Sequence, residues 1–293
     1  MAVPLITKGR YSQVTIRPRD DLIIKRVRRP QCESPEDLEQ TLLDRAQSVR
    51  LYYARLREVF VNVPTTQVEV VETEDGLSQL EIRQTYVEGD NALQCAAQLD
   101  ATKMELLITD CCKETLKVVA TMFSDRPIGY DVGYHNFVVP RFGHQVFAVD
   151  LYPPRLAYKI NGKGQNVRIH QDKLFVCYPE GHHNGTTGNF VVKNRAQSDY
   201  TALGILQNFL AWSIGAFYAK EQTVLNWSDI SARTETKRFI DLVVECVRSA
   251  NITEETERLV RSVNSEYFIK LMGVRLSKGH EKLRALVRAG VED

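Results

Sequence analysis

The chain has 293 residues, 43% of them hydrophobic, and balances 38 basic against 37 acidic side chains for a formal net charge of +1. That length and apolar content can supply the core of one large domain or of two lobes, and the balanced charge excludes a global field that would recruit nucleic acid or an anionic membrane. The six cysteines (Cys32, Cys95, Cys111, Cys112, Cys177, Cys246) show no C-x-x-C spacing, and the opening MAVPLITKGR lacks the apolar run of a secretory signal, so reduced thiols and a cytoplasmic setting are expected.

In chain order, PLIT, QVTI and LIIKRV are separated by the turn-forming KGRYS and RPRDD and predict three antiparallel strands. Ser34-Pro35-Glu36-Asp37 supplies an N-cap, a first-turn proline and first-turn acids. Leu38, Leu42, Ala46, Val49, Tyr53, Leu56 and Phe60 then continue at helical spacing, predicting one long helix to about Phe60. QVEVVET, the turn at Asp75-Gly76 and LEIRQTYVEG form a β-hairpin. After Gly89 the chain changes character, and Met104, Leu107, Ile108, Cys111, Leu116, Val119 and Phe123 trace a second long helix. GYDVGYHNFVV, the turn PRFG and the strand QVFAVDL follow. Beyond them lie the basic, glycine-bearing stretches RLAYKINGKGQNVRIHQDK and PEGHHNGTTG and a helical remainder from Asp199. Tyr200 to Tyr218 is apolar enough to suggest a membrane span, but Gln207 and Asn208 sit at its middle, so a buried helix is expected and no membrane partner.

Chemistry concentrates around Asp131. Transfer of a γ-phosphoryl group needs a carboxylate at the acceptor hydroxyl, oxygen ligands for the metal that bridges the phosphates, and a cation on the α- and β-phosphates. Asp131, Asn136, Asp150 and Lys25 are of those types, and amide and carboxylate oxygens suit Mg²⁺. Between Asn136 and Asp150 lie two short strands and a turn, which return both positions to the same end of a hairpin.

GYDVGYHNFVV followed by AVDLYPPR resembles the catalytic loop and metal-binding aspartate of the aminoglycoside phosphotransferase and choline kinase group of the protein-kinase-like fold. The upstream order resembles it too: IIKRV the strand of the nucleotide-binding lysine, the Ser34 helix its neighbour, QTYVEG the strand and hinge. The resemblance implies a two-lobed α+β fold, with a small N-terminal β-sheet lobe carrying one long helix over residues 1–89 and a larger, mainly helical catalytic and acceptor-binding lobe over 90–293. It implies ATP and Mg²⁺ as cofactors and transfer to a hydroxyl of a small molecule. Asp131 would orient or deprotonate that hydroxyl, while Asn136 and Asp150 would hold Mg²⁺. Lys25 would meet the α/β-phosphates, Ser12 within KGRYSQV would cover them, and Tyr86 and Val87 would contact adenine through the backbone; Glu39, read on one helical face with Leu42 and Leu43, would be the acidic partner of Lys25, with Asp44 or Gln47 as alternatives.

Three departures support a kinase-like module without turnover. Gly129 stands where the family usually has a histidine, the nucleotide loop has the single glycine Gly9, and Pro153-Pro154 follow Asp150. A kinase-like module that binds nucleotide or a protein without turnover is the first alternative, and a kinase acting on Ser or Thr of a peptide the second. A metal-dependent hydrolase around His182 and His183, with Cys177 as a further zinc-type ligand, is the third. Lys159, Lys163, Arg168, Lys173 and Lys193 are expected to be a solvated basic face.

Overall fold

The computed structural model describes residues 5–8, 12–17, 20–29, 34–124, 128–142, 145–149, 151, 158–160, 166–168, 182–183, 186–187, 190–191, 201–219, 234–263, 265 and 268–274. The architecture is mixed α+β. Strands β1 (Leu5–Lys8), β2 (Ser12–Arg17), β3 (Leu22–Val27), β4 (Thr66–Glu72) and β5 (Ser78–Thr85) form an antiparallel sheet in the order β1-β2-β3-β5-β4. The β4–β5 hairpin closes at the Asp75-Gly76 turn, where Gly76 takes φ +73°, a backbone region that favours glycine.

Helix α1 (Pro35–Glu58) crosses between β3 and β4. The Ser34 hydroxyl accepts from the Asp37 amide at 3.1 Å, which satisfies one of the first-turn donors. The helix stops two residues before Phe60, whose φ of 60° leaves the right-handed region. Its stripe Leu38, Leu42, Ala46, Val49, Tyr53 and Leu56 is buried together with Val27, Val68, Leu80 and Ile82 of the sheet. The Arg50 guanidinium adds two hydrogen bonds, of 2.9 and 2.6 Å, to the Val68 carbonyl and clamps the helix to β4.

After the sheet come β6 (Gly89–Asn91), α2 (Ala92–Gln98) and α3 (Ala101–Thr121). Asn91 and Gln94 form a reciprocal capping box at the start of α2. Strands β7 (Phe137–Pro140) and β8 (Phe147–Ala148) pair as a hairpin, and β6 adds to its other side to give the order β6-β7-β8. Short strands β9 (Tyr158–Ile160), β10 (Asn166–Arg168), β11 (His182–His183), β12 (Thr186–Thr187) and β13 (Phe190–Val191) make a further antiparallel sheet. Helices α4 (Ala202–Ala219), α5 (Thr234–Ser249) and α6 (Thr253–Ser262) close the chain's described part, with a last helical stretch at 268–274.

Helix α4 covers the apolar stretch that could be mistaken for a span. Ile205, Leu206, Phe209, Leu210, Trp212 and Ile214 are buried, and so are Gln207 and Asn208. A helix apolar on all sides belongs inside a helical assembly, and α4 packs against α2, α3, α5 and α6. No helix among the described residues is long and apolar enough to cross a membrane. The apolar core runs without a break from Val27 in the sheet through Cys112 in α3 to Met272.

Candidate functional site

The site is built on the loop that enters β7. Asn136 is 5% exposed, its backbone N–H donates to the Gly133 carbonyl at 2.8 Å, and its Nδ2 donates to the Asp131 carbonyl at 2.9 Å. The carboxamide nitrogen is thereby committed to the loop, and Oδ1 is the atom a cation would use. Asp131 is half-buried at the far side of the same turn. On the other arm of the hairpin the Val149 N–H donates to the Asn136 carbonyl at 2.7 Å, which draws the hairpin's two ends together. Asp150 lies outside the described residues.

The loop is locked from below by α4. The Tyr134 hydroxyl donates to Ser213 Oγ at 2.9 Å, which in turn donates to the Phe209 carbonyl at 2.9 Å, and the Tyr134 ring stacks on Phe209. The His135 ring packs on Trp212 with centroids 5.1 Å apart. Gly133 is a packing requirement there: a Cβ would lie 2.7 Å from His135 Cε1 and 3.3 Å from Trp212 Cε2.

Next to the loop, Tyr130 is buried and its hydroxyl has no hydrogen-bond partner among the described residues. Burial, with the Glu114 carboxylate nearby, pushes its phenol well above the ordinary range, so the ring stays neutral. Glu114 itself accepts from the Asn62 N–H at 2.8 Å and from Lys117 Nζ at 2.6 Å. Asn62 also donates through Nδ2 to the Val146 carbonyl at 2.9 Å and accepts from the Ala148 N–H at 2.8 Å. One asparagine thus ties the segment after α1 to α3 and to β8.

On the sheet, alternation turns Lys25 inward. It sits between Val14 and Ile82 in register on the face toward α1 and is 5% exposed, whereas Arg26 points outward and pairs with Glu81 at 3.1 Å. Glu39 is exposed on α1, whereas Lys25 is buried. Glu39 shares its side of α1 with Leu43, four residues on, and both are exposed. The stripe through Leu38 and Leu42 takes the inner face, which puts Glu39 about 60–100° off it. Asp44 and Gln47 are exposed as well, and the charged side chain of α1 that is buried is Arg45.

Ser12 opens β2 opposite Val27 and is half-buried, and Gly9 lies outside the described residues. Tyr86 and Val87 are half-buried and line a surface groove of about 390 Å³ with Val63, Pro64, Phe142 and Phe147. Lys25, Asp131 and Asn136 take no part in that groove. The structure therefore brings Asp131 and Asn136 together, keeps Lys25 on the inner face of the sheet, and leaves Tyr86 and Val87 on a separate surface. Cys177 and the side chains of His182, His183, Lys159, Lys163, Arg168, Lys173 and Lys193 fall outside what is described.

Sequence reading missed Tyr52 and Tyr53. Their hydroxyls donate to the Gly129 carbonyl at 2.9 Å and the Leu151 carbonyl at 3.0 Å, fastening the loop before Asp131 and the chain after position 150 to α1. Helical periodicity marked Tyr53 as a core position and carried no sign of either acceptor. A scan against models of known protein families and a search of curated proteins return no match to this chain.

Proposed function

We propose that the protein is an ATP- and Mg²⁺-dependent phosphotransferase whose acceptor is a hydroxyl of a small molecule. The observation that carries this reading is the Asp131–Asn136 turn at the mouth of the β7–β8 hairpin, with Asn136 Nδ2 closing on the Asp131 carbonyl at 2.9 Å. A buried lysine on the inner face of a five-stranded antiparallel sheet supports it. Bound Mg²⁺ would neutralise charge on the transferring phosphoryl group. The donor set fits that ion: Asn136 offers an amide oxygen and Asp150 a carboxylate, both hard ligands. Asp131 accepts the proton of the acceptor hydroxyl as its oxygen bonds to phosphorus and the bond to the leaving phosphate breaks. Lys25 holds charge on the non-transferred phosphates.

One observation favours a second reading, a nucleotide- or protein-binding module without turnover. Glu39, Asp44 and Gln47, the residues expected to partner Lys25, are all exposed on α1.

The test is the melting temperature with ATP, with and without Mg²⁺, for the wild type and Asp150→Ala. Ligand at a hundredfold excess over Kd adds about 2.7 kcal/mol to the native state, a rise of roughly 5 °C for a protein of this size. A rise that needs Mg²⁺ and vanishes in Asp150→Ala supports the phosphotransferase, and hydroxyl compounds are then screened with Asp131→Asn as the inactive control. No rise in either protein removes it, and a rise without turnover on any acceptor leaves the binding module.

A further inference from the structure

Consecutive tyrosines of α1 reach two chain segments that flank the β7–β8 hairpin. Tyr52 donates to the Gly129 carbonyl and Tyr53 to the Leu151 carbonyl, and both bonds are buried. Neighbouring residues on a helix point about 100° apart. The two ring planes stand at 84° to each other with centroids 6.2 Å apart.

Gln84 of β5 completes the connection, its Nε2 donating to the Tyr53 oxygen at 3.0 Å. An amide nitrogen only donates, so the Tyr53 oxygen accepts there and its own proton is directed at Leu151. A line of hydrogen bonds therefore runs from β5 through α1 to the chain beside position 150. Both final acceptors are backbone carbonyls, so the bonds register the chain whatever side chains it carries. The helix that bears them is itself held to the sheet by its apolar stripe and by Arg50.

From this geometry we infer that Tyr52 and Tyr53 are positioning residues that fasten the site to the sheet, Tyr52 through the loop carrying Asp131 and Tyr53 through the chain next to position 150. Each hydroxyl acts through a carbonyl and touches no reacting atom. The catalytic side of the inference rests on the phosphotransferase reading, and the mechanical side does not. Tyr52 also supplies a hold on the loop at Gly129, where the resembled family has a histidine.

Tyr52→Phe and Tyr53→Phe keep the buried rings and remove only the hydroxyls. In the full chain without ligand, hydrogen exchange followed by mass spectrometry is expected to show amides 129–136 exchanging at least about fivefold faster in Tyr52→Phe, the shift that one lost buried hydrogen bond corresponds to. Tyr53→Phe is expected to leave those amides alone and to loosen Phe147 to Val149. With ATP and Mg²⁺, Tyr52→Phe should lower kcat by roughly ten- to a hundredfold, as small misplacements of catalytic groups do, with KM for ATP unchanged. Tyr53→Phe should raise the Mg²⁺ concentration needed for half-maximal turnover and recover at saturating Mg²⁺. Gln84→Leu keeps both tyrosines and removes the donor to Tyr53 and Thr66 but not the Tyr53 bond to Leu151, so it should shift the Tyr53→Phe readouts in the same direction by a smaller amount should either phenylalanine variant fold poorly. Unchanged exchange at both segments overturns the inference, as does a uniform fall of all kinetic parameters in proportion to folded protein. Exchange that responds as described in a protein that binds no ATP upholds the positioning role and removes the phosphotransferase instead.

Discussion

Replacing Gly89 by alanine probes the three-stranded sheet at its tightest point. A Cβ on Gly89 would lie 2.0 Å from the Val139 carbonyl oxygen and 2.9 Å from Pro140 Cα, both backbone atoms that cannot swing aside. Gly89 has no positive φ, so the whole cost is steric. To restore an ordinary contact, β6 must move from β7 by at least about 1 Å. The Arg141 N–H to Glu88 carbonyl bond, now 2.9 Å, is then stretched past hydrogen-bonding range and the Asp90–Val139 rung with it. Two backbone bonds lost at about 1–2 kcal/mol each give a destabilisation of about 2–4 kcal/mol, or roughly 4–7 °C in melting temperature. The comparison variant is Gly273→Ala, where a Cβ meets nothing within 4 Å and no positive φ intervenes, so no loss is expected. Thermal melts by circular dichroism decide it, and a Gly89→Ala protein melting within about 1 °C of wild type would refute the packing argument.

Gly133→Ala meets the His135 ring and not backbone, so its expected cost is smaller, about 1–3 kcal/mol, and the double variant Gly133→Ala/His135→Ala should recover part of it because the offending atoms are gone; strict additivity of the two changes in urea unfolding would show that the ring is not the obstacle. The Cys246 thiol is held down to about 7 by the neighbouring Cys112 thiol and the Lys113 ammonium against partial burial, whereas burial and Asp90 push Cys95 up to about 11. Alkylation by iodoacetamide, read by mass spectrometry from pH 6 to 9, should therefore rise through about pH 7 at Cys246 while Cys95 stays slow throughout, since only the thiolate reacts; equal rates at pH 8 would contradict these environments. Glu114→Gln cannot accept from both Asn62 and Lys117 as the carboxylate does, and the charged bonds lost correspond to about 1.5–3 kcal/mol. A lower urea midpoint with unchanged slope is the expected result, and an unmoved midpoint would mean that this junction contributes no net stability.

Local signals carried much of the architecture. The Ser34 cap, the Asp75-Gly76 turn and the alternation that buries Lys25 and exposes Arg26 are all written within a few residues of where they act. The turn holding Asp131 and Asn136 is similarly short-range. What sequence did not reveal depends on distant partners. Strand β6 has three residues and exists because β7 pairs with it across nearly fifty positions of chain. Helix α2 has seven residues, too few for periodicity to register, although the Asn91 and Gln94 capping pair was there to be read. Glu39 was placed by a face drawn through Leu42 and Leu43, which lie on different sides of α1, and only the buried neighbours tell which side is inner. The hydroxyl partners of Tyr52 and Tyr53 are carbonyls, which leave no trace in side-chain identity.

The bonds that leave α1 for Gly129 and Leu151, and those from Asn62 to Glu114 and Val146, also bear on when the protein can fold as it is made. Translation at about 5–20 residues per second separates the appearance of Tyr53 from that of Leu151 by roughly 5–20 s. During that interval the rest of the long helix and the two strands that complete its sheet are made, while the Leu151 carbonyl that would satisfy the buried Tyr53 hydroxyl is not. The first third of the chain consequently waits for the second: a ribosome pause before Gly129 prolongs the exposure of both tyrosines, and one between Gly129 and Leu151 that of Tyr53.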